Sequence, residues 1–185
     1  MKKIFLMLFL LIIAIDVFGK NDDFVIKNGT LVKYKGNASY VTVPNDVKKI
    51  GKEAFYRNTY IREVKLGWNV EEIEDYAFWC CTSLSKIDLP YSLRYIGSNA
   101  FYGCSWLDNV VIPQNMYRIG YCAFSYSGVR TLTIKMNVYD NERSVPSKIK
   151  QGFENMQNLK YIYFEFAYNK ILVYDTTTQQ YYWKK

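Results

Sequence analysis

Four acidic side chains fall within five consecutive positions, Glu71, Glu72, Glu74 and Asp75. Paired carboxylates are the one acid/base apparatus this chain could assemble. The sequence has no histidine, which removes serine and cysteine triads and every zinc site built on imidazole. It has no GxxxxGK[ST] loop, no dinucleotide fingerprint and no CxxC pair. Four cysteines, Cys80, Cys81, Cys104 and Cys122, allow several disulfide connectivities or none.

The setting of the carboxylates argues against catalysis. Phe55, Phe78, Phe101 and Phe124 follow one another at steps of 23, each preceded by alanine. Ile50, Ile73, Ile96 and Ile119 keep the same step, as do Val43, Leu66, Leu89 and Ile112. A period of this length belongs to a solenoid, whose units are too short to enclose a core and bury apolar residues only by stacking coil on coil. Val64, Ile87, Val110 and Leu132 extend one more ladder, and Ile61, Leu84, Leu107 and Val129 another, the fourth unit having lost one residue. On this ruler Glu71 and Glu72 sit where neighbouring units carry Lys48-Lys49 and Arg94-Tyr95. That is the pattern of a solvated charge ladder, in which exposed pairs add little stability but keep the face wet.

Within a unit, Leu107 to Ile112 alternates as a short strand with one face inward. Pro44, Pro90 and Pro113, with Gly67 in the second unit, mark the strand exit. Gly51, Gly97 and Gly120 suit a tight bend, although Glu74 at the same place argues that the bend does not require positive φ.

The run from Ile96 to Pro113, IGSNAFYGCSWLDNVVIP, closely resembles the BspA-type leucine-rich repeat. The resemblance extends over residues 24–164, with Asn58 and Ser127 standing where cysteine is frequent and the period broken at 135–150. It implies an α/β-type repeat solenoid that is mostly β, right-handed, with about five coils and parallel strands. It also implies that Cys81 and Cys104, one coil apart, are buried free thiols serving as small apolar wall residues. A Cys81–Cys104 disulfide is a geometric alternative, because coils stack ~4.8 Å apart.

The ends differ from the repeats. Residues 1–19 read as a secretory signal, with Lys2 and Lys3 before a 12-residue apolar run from Ile4 to Ile15 and small residues near Gly19. An uncleaved anchor is the alternative, although ~20 residues make a comfortable span. Residues 20–40 form a capping hairpin around Asn28-Gly29, and 41–134 hold the four repeats of 22–23 residues. An inserted loop at 135–150 is rich in Asn, Ser and Pro, and 151–185 form a degenerate fifth repeat with a C-terminal cap. Within that cap Ile171–Tyr174 and Gln180–Trp183 suggest a second hairpin. Asn28 and Asn37 lie in N-glycosylation acceptor patterns. Removing Lys2, Lys3 and Asp16 with the signal lowers the formal net charge from +7 to +6, an excess that serves solubility rather than nucleic-acid binding.

Function is therefore expected on the outward strand positions. One column holds Lys65, Asp88, Val111, Thr133 and Tyr163, beside Glu63, Lys86, Asn109, Thr131 and Tyr161. Tyr161 and Tyr163 are the expected anchors, since tyrosine often dominates interface energetics. A second face carries Lys49, Glu72, Tyr95 and Arg118, and an aromatic column of Tyr56, Trp79 and Tyr102 follows the phenylalanines. The resemblance implies adhesion and interaction with host or neighbouring-cell proteins, some of them matrix components. The expected role is a secreted or surface-displayed binding module for an extracellular protein or glycan. It has no catalytic residues, cofactor or metal, no nucleic-acid partner and no stable membrane insertion of the mature chain. The alternative is a structural protein that self-associates in an envelope or matrix, and weak self-association is compatible with either role.

Overall fold

The computed structural model describes Gly19, residues 21–136, Phe153, residues 155–166 and residues 170–184. The signal expected at 1–19, apart from Gly19, and the loop expected at 135–150 beyond Met136 lie outside the described residues. After a short 3-10 turn (Asn21–Asp23), β1 (Phe24–Lys27) and β2 (Thr30–Tyr34) form an antiparallel hairpin. Its corner is Asn28-Gly29, with φ of 50° and 72°, the two positive angles that a turn matched to strand twist requires.

The chain then coils. β4 (Lys49–Ile50), β6 (Glu72–Ile73), β8 (Tyr95–Ile96) and β10 (Arg118–Ile119) stack in parallel onto β2, giving a sheet of order β1-β2-β4-β6-β8-β10. Their register places Leu31, Ile50, Ile73, Ile96 and Ile119 in one buried column. On the other side, β3 (Tyr40–Thr42), β5 (Glu63–Lys65) and β7 (Lys86–Asp88) make a three-stranded parallel sheet. β9 (Asn109–Ile112), β11 (Thr131–Lys135) and β12 (Tyr161–Glu165) continue in parallel, followed by antiparallel β13 (Ile171–Asp175) and β14 (Gln180–Trp183). The result is a mostly-β solenoid of about five turns.

Between the strands on the two sides of each coil runs the Ala-Phe arc. Phe55, Phe78, Phe101 and Phe124 are buried and stack with centroids 4.7–5.1 Å apart, nearly parallel. Phe24 and Tyr34 extend the stack at one end and Phe153 at the other, so seven rings form the spine. Backbone bonds hold the arc at the same spacing. Phe55, Phe78 and Phe101 donate their N–H to Ala77, Ala100 and Ala123 of the next coil at 2.7–2.8 Å.

The arc follows its curve through two ladders of left-handed residues: Glu53, Tyr76, Asn99 and Cys122, then Arg57, Cys80, Gly103, Tyr126 and Asn155. Only asparagine and glycine enter this region cheaply, and other L-residues lose ~1–2 kcal/mol each. The inter-coil bonds offset that cost, because Arg57, Cys80, Gly103 and Tyr126 each donate to the following coil at 2.7–3.1 Å.

The bend glycines do not need positive φ, as Glu74 at the same repeat position implies. Gly51, Gly97 and Gly120 are absent from the positive-φ residues. What they meet is the preceding coil: a Cβ at Gly97 would lie 2.5 Å from the Asp75 N, and one at Gly120 would lie 2.4 Å from the Ser98 N. Close backbone approach, rather than dihedral freedom, excludes a side chain there.

None of the four cysteines is in a disulfide. The Cys81 thiol donates to the Phe55 carbonyl at 3.0 Å and that of Cys104 to Phe78 at 3.1 Å, so each points back one coil at a main-chain acceptor. Burial pushes the Cys81 thiol up to about 12 and that of Cys104 well above its ordinary value. The Asn58 side chain, at the same repeat position, accepts from the Tyr60 and Ile61 N–H groups and donates to Gly36 O. Ser127 donates to Phe124 O at 2.6 Å.

Candidate functional site

The acidic cluster is consumed by structure. Glu72 pairs with Lys49 at 2.9 Å, Glu74 accepts from the Lys52 N–H at 2.8 Å, and Asp75 accepts from the Ser98 N–H at 2.7 Å. Three of the four carboxylates thus bridge coils. Among the described residues no group of acidic, histidine or cysteine side chains is arranged to hold a metal, and no helix is long and apolar enough to cross a membrane.

On the second face Tyr95 and Tyr117 lie 6.4 Å apart, and Arg118 sits 5.7 Å over the Tyr95 ring. The Tyr56, Trp79 and Tyr102 rings stack on one another at 4.9 and 5.9 Å. Their π-faces are therefore largely spent between coils, leaving the outward strand positions as the candidate site.

There the expected columns form, but in two groups. Lys65 and Asp88 are register partners on β5 and β7, with Lys86 opposite Glu63. Val111, Thr133 and Tyr163 align across β9, β11 and β12, beside Asn109, Thr131 and Tyr161. Lys65, Lys86, Asp88, Asn109 and Val111 are exposed, whereas Thr133, Tyr161 and Tyr163 are half-buried. The uninterrupted ladder expected from the repeat is broken between β7 and β9, which do not pair. Lys86, Arg130 and Tyr161 each donate to the coil before them, at Arg62, Asp108 and Arg130; no such bond joins Asp108 or Asn109 to Ser85. Leu89 at the end of β7 is correspondingly less buried than Val43, Leu66 and Ile112 in its ladder.

The break opens a cleft of about 620 Å3 lined by Lys86, Asp88, Leu89, Trp106, Asn109 and Val111 among others. Trp106 is 72% exposed. Its ladder neighbours are Ser83 and Gly128, so neither adjacent coil offers a ring to stack on it. That signal was present in the repeat alignment, whereas the cleft beside it was not. Behind the cleft Arg130 grips Asp108 with two bonds of 2.7 and 2.6 Å, and the guanidinium holds the Asp108 carboxyl below the usual carboxylate range.

The C-terminal end of the face is larger than the repeats indicate. Register across β12, β13 and β14 places Tyr163, Val173 and Tyr182 on the same side. The Tyr161 and Tyr163 rings are 6.2 Å apart, Lys184 lies 5.6 Å over Tyr163, and Val173 is buried. Burial, then the nearby Tyr161 and Tyr163 phenols, raises the Tyr182 phenol above its ordinary value. Tyr182 and Lys184 therefore join the site. Their membership depends on hairpin register, which the repeat period does not carry.

Comparison with known proteins agrees with this architecture. Residues 26–151 match the model of the BspA type leucine rich repeat region, in six copies. The pneumococcal vaccine antigen PcpA superposes with a TM-score of 0.65 at 28% identity, over 77% of this chain and 35% of that one. A leucine-rich repeat protein from Bacteroides ovatus gives 0.54 at 30% identity, over 60% and 32%. One from Bacteroides capillosus gives 0.53 at 25% identity, over 63% and 90%. The chain thus spans about a third of the length of PcpA. No curated protein matches. With 23-residue coils, a phenylalanine spine, thiols aimed at main-chain carbonyls and a family match over most of its length, the chain belongs to the BspA-type leucine-rich repeat family.

Proposed function

We propose that this protein is a secreted or surface-displayed binding module whose outward strand face recognises an extracellular protein. The observation that carries the reading is the tyrosine cluster at the C-terminal end of that face. Tyr161, Tyr163 and Tyr182 surround buried Val173 and stand beside Lys184. Amphipathic rings held rigidly around an apolar centre are the composition of interface hot spots. Resemblance to a pneumococcal vaccine antigen supports display at a cell surface, as does the signal-like segment at 1–19. The engaged carboxylates and the absence of histidine favour a non-catalytic role of adhesive type.

A glycan is the second reading, favoured by Trp106 beside the β7/β9 cleft with polar Lys86, Asp88 and Asn109 around it. Capture from extracellular extracts and on a glycan array, with Y161A/Y163A and W106A compared with the parent chain, separates the two. The protein reading expects Y161A/Y163A to weaken capture of a protein partner at least tenfold, a loss of ~1.4 kcal/mol. Equal capture of the same partner by both chains removes the tyrosine face from consideration. Glycan retention that depends on Trp106 alone selects the second reading.

A further inference from the structure

Among the described residues, β14 is the terminal strand of the five-stranded sheet and no strand pairs with its outer edge. Lys184 donates to Ile171 O at 2.9 Å, and the same register pairs Tyr182 with Val173 and Gln180 with Asp175. In an antiparallel ladder, hydrogen-bonded and non-bonded pairs alternate. Gln180, Tyr182 and Lys184 therefore turn their main-chain groups toward β13, and Tyr181 and Trp183 turn theirs to the free edge. All four residues of β14 are exposed, with Tyr181, Tyr182 and Trp183 at 47%, 48% and 44%.

Proteins normally blunt such edges, and β1, at the edge of the six-stranded sheet, carries a register shift between Val25 and Ile26. β14 has regular register along its whole length and contains no proline, lysine or bulge. Gln180–Trp183 itself carries no charged side chain; Lys184 follows it, and Asp175 faces Gln180 across the pairing with β13.

We infer that β14 pairs antiparallel with β14 of a second copy of this chain, about a two-fold axis at Tyr182. Registers that use the free main-chain groups can place Tyr181 opposite Tyr181, Trp183 opposite Trp183, or Tyr181 opposite Trp183. Within Gln180–Trp183 the last forms two hydrogen-bonded pairs, where either alternative forms one. It also sets Tyr182 against its own copy on the outward side and Tyr181 against Trp183 on the inward side, aromatic pairs that stabilise strand contacts. Lys184 then faces Gln180, so the lysine that follows β14 does not oppose its own copy. The strand is self-complementary in both hydrogen bonding and charge.

A pairing of four residues per strand is small beside the ~1,200–2,000 Å2 of a standard stable interface, so the dimer forms reversibly with concentration. The axis stands perpendicular to the sheet, and each five-stranded sheet runs on into its copy. Both outward faces then look the same way, the arrangement that converts two weak contacts with one surface into avidity. This pairing stands whether or not the proposed ligand is found.

Sedimentation of the purified protein over a dilution series tests it. The weight-average mass of the parent chain rises from monomer toward dimer with concentration. Y182K and Y182E each stay monomeric, because like charges meet on the axis, and their equimolar mixture dimerises again. Y182C, whose thiols would meet at a non-hydrogen-bonded pair with Cα atoms ~4.5 Å apart, cross-links under mild oxidation while the parent chain does not. A parent chain that is monomeric throughout overturns the inference. So does a dimer that Y182K leaves intact, or a mixture that sediments no faster than its components. Should either charge variant lose its β-sheet circular dichroism, the Y182C cross-link decides, and its absence is equally fatal.

Discussion

Removing one rung of the phenylalanine spine tests whether the coils are held at a fixed spacing. Phe101 is fully buried and stacks on Phe78 and Phe124 at 5.1 Å on both sides, 6° and 5° from parallel. Phe→Ala in a core costs ~3–5 kcal/mol, the upper end where the site cannot collapse. Here collapse is resisted, because the Phe78 and Phe101 amides bond Ala100 and Ala123 at 2.8 and 2.7 Å and hold the adjacent coils apart. F101A is therefore expected near ~5 kcal/mol, a large fraction of the 5–15 kcal/mol that stabilises an ordinary domain. Phe153 supplies the contrast. It is half-buried and, among the described residues, has one ring neighbour at 6.1 Å and 19°, so it carries part of the ~1.5–3 kcal/mol transfer term and one weak ring contact. F153A should cost ~1–2 kcal/mol. Urea denaturation followed by circular dichroism, with m-values compared, measures both. An F153A loss equal to or above that of F101A would refute the idea that spine energy depends on having a neighbour on each side.

Gly120→Ala should destabilise by ~1–3 kcal/mol, since its Cβ would sit 2.4 Å from a main-chain nitrogen; thermal melts that coincide with the parent chain would refute the close-approach explanation. In thiol labelling of the native protein only Cys80, half-exposed, should react, and slowly, because burial raises its thiol; rapid reaction at Cys104 would contradict the packing. The Cys81 thiol, raised from 9.0 to about 12 by burial, binds its proton more tightly in the folded chain. Its contribution is complete below pH ~9 and is lost as pH rises toward 12. C81A should accordingly flatten the loss of stability in that window, as measured by urea midpoints.

Much of the fold was legible in the sequence because a solenoid places equivalent residues in equivalent surroundings. Phe55 to Phe124 and Ile50 to Ile119 had to share a fate, and chains that stack must bury the same side of each coil. The outward columns followed from the same alternation, which is why Lys65, Asp88, Val111 and Tyr163 could be assigned to the surface. Trp106 was legible in principle, flanked as it is by Ser83 and Gly128.

Other features lay beyond any local pattern. Glu53 and Tyr76 adopt left-handed backbone although their side chains disfavour it, because hydrogen bonds to Asp75 O and Ser98 O of the next coil, 22 residues on in sequence, impose the angle. The Gly97 and Gly120 requirement comes from the backbone of the coil beneath, not from the bend itself. The β7/β9 break and the addition of Tyr182 to the binding face depend on which strand pairs with which, and in what register. The sequence by itself determined the period, the buried ladders and the absence of a histidine-based site, since these depend only on residue type and spacing. Tertiary structure decided where the ladder opens and which aromatic residues converge, since a shift of one residue in pairing moves every side chain of a strand to the opposite face.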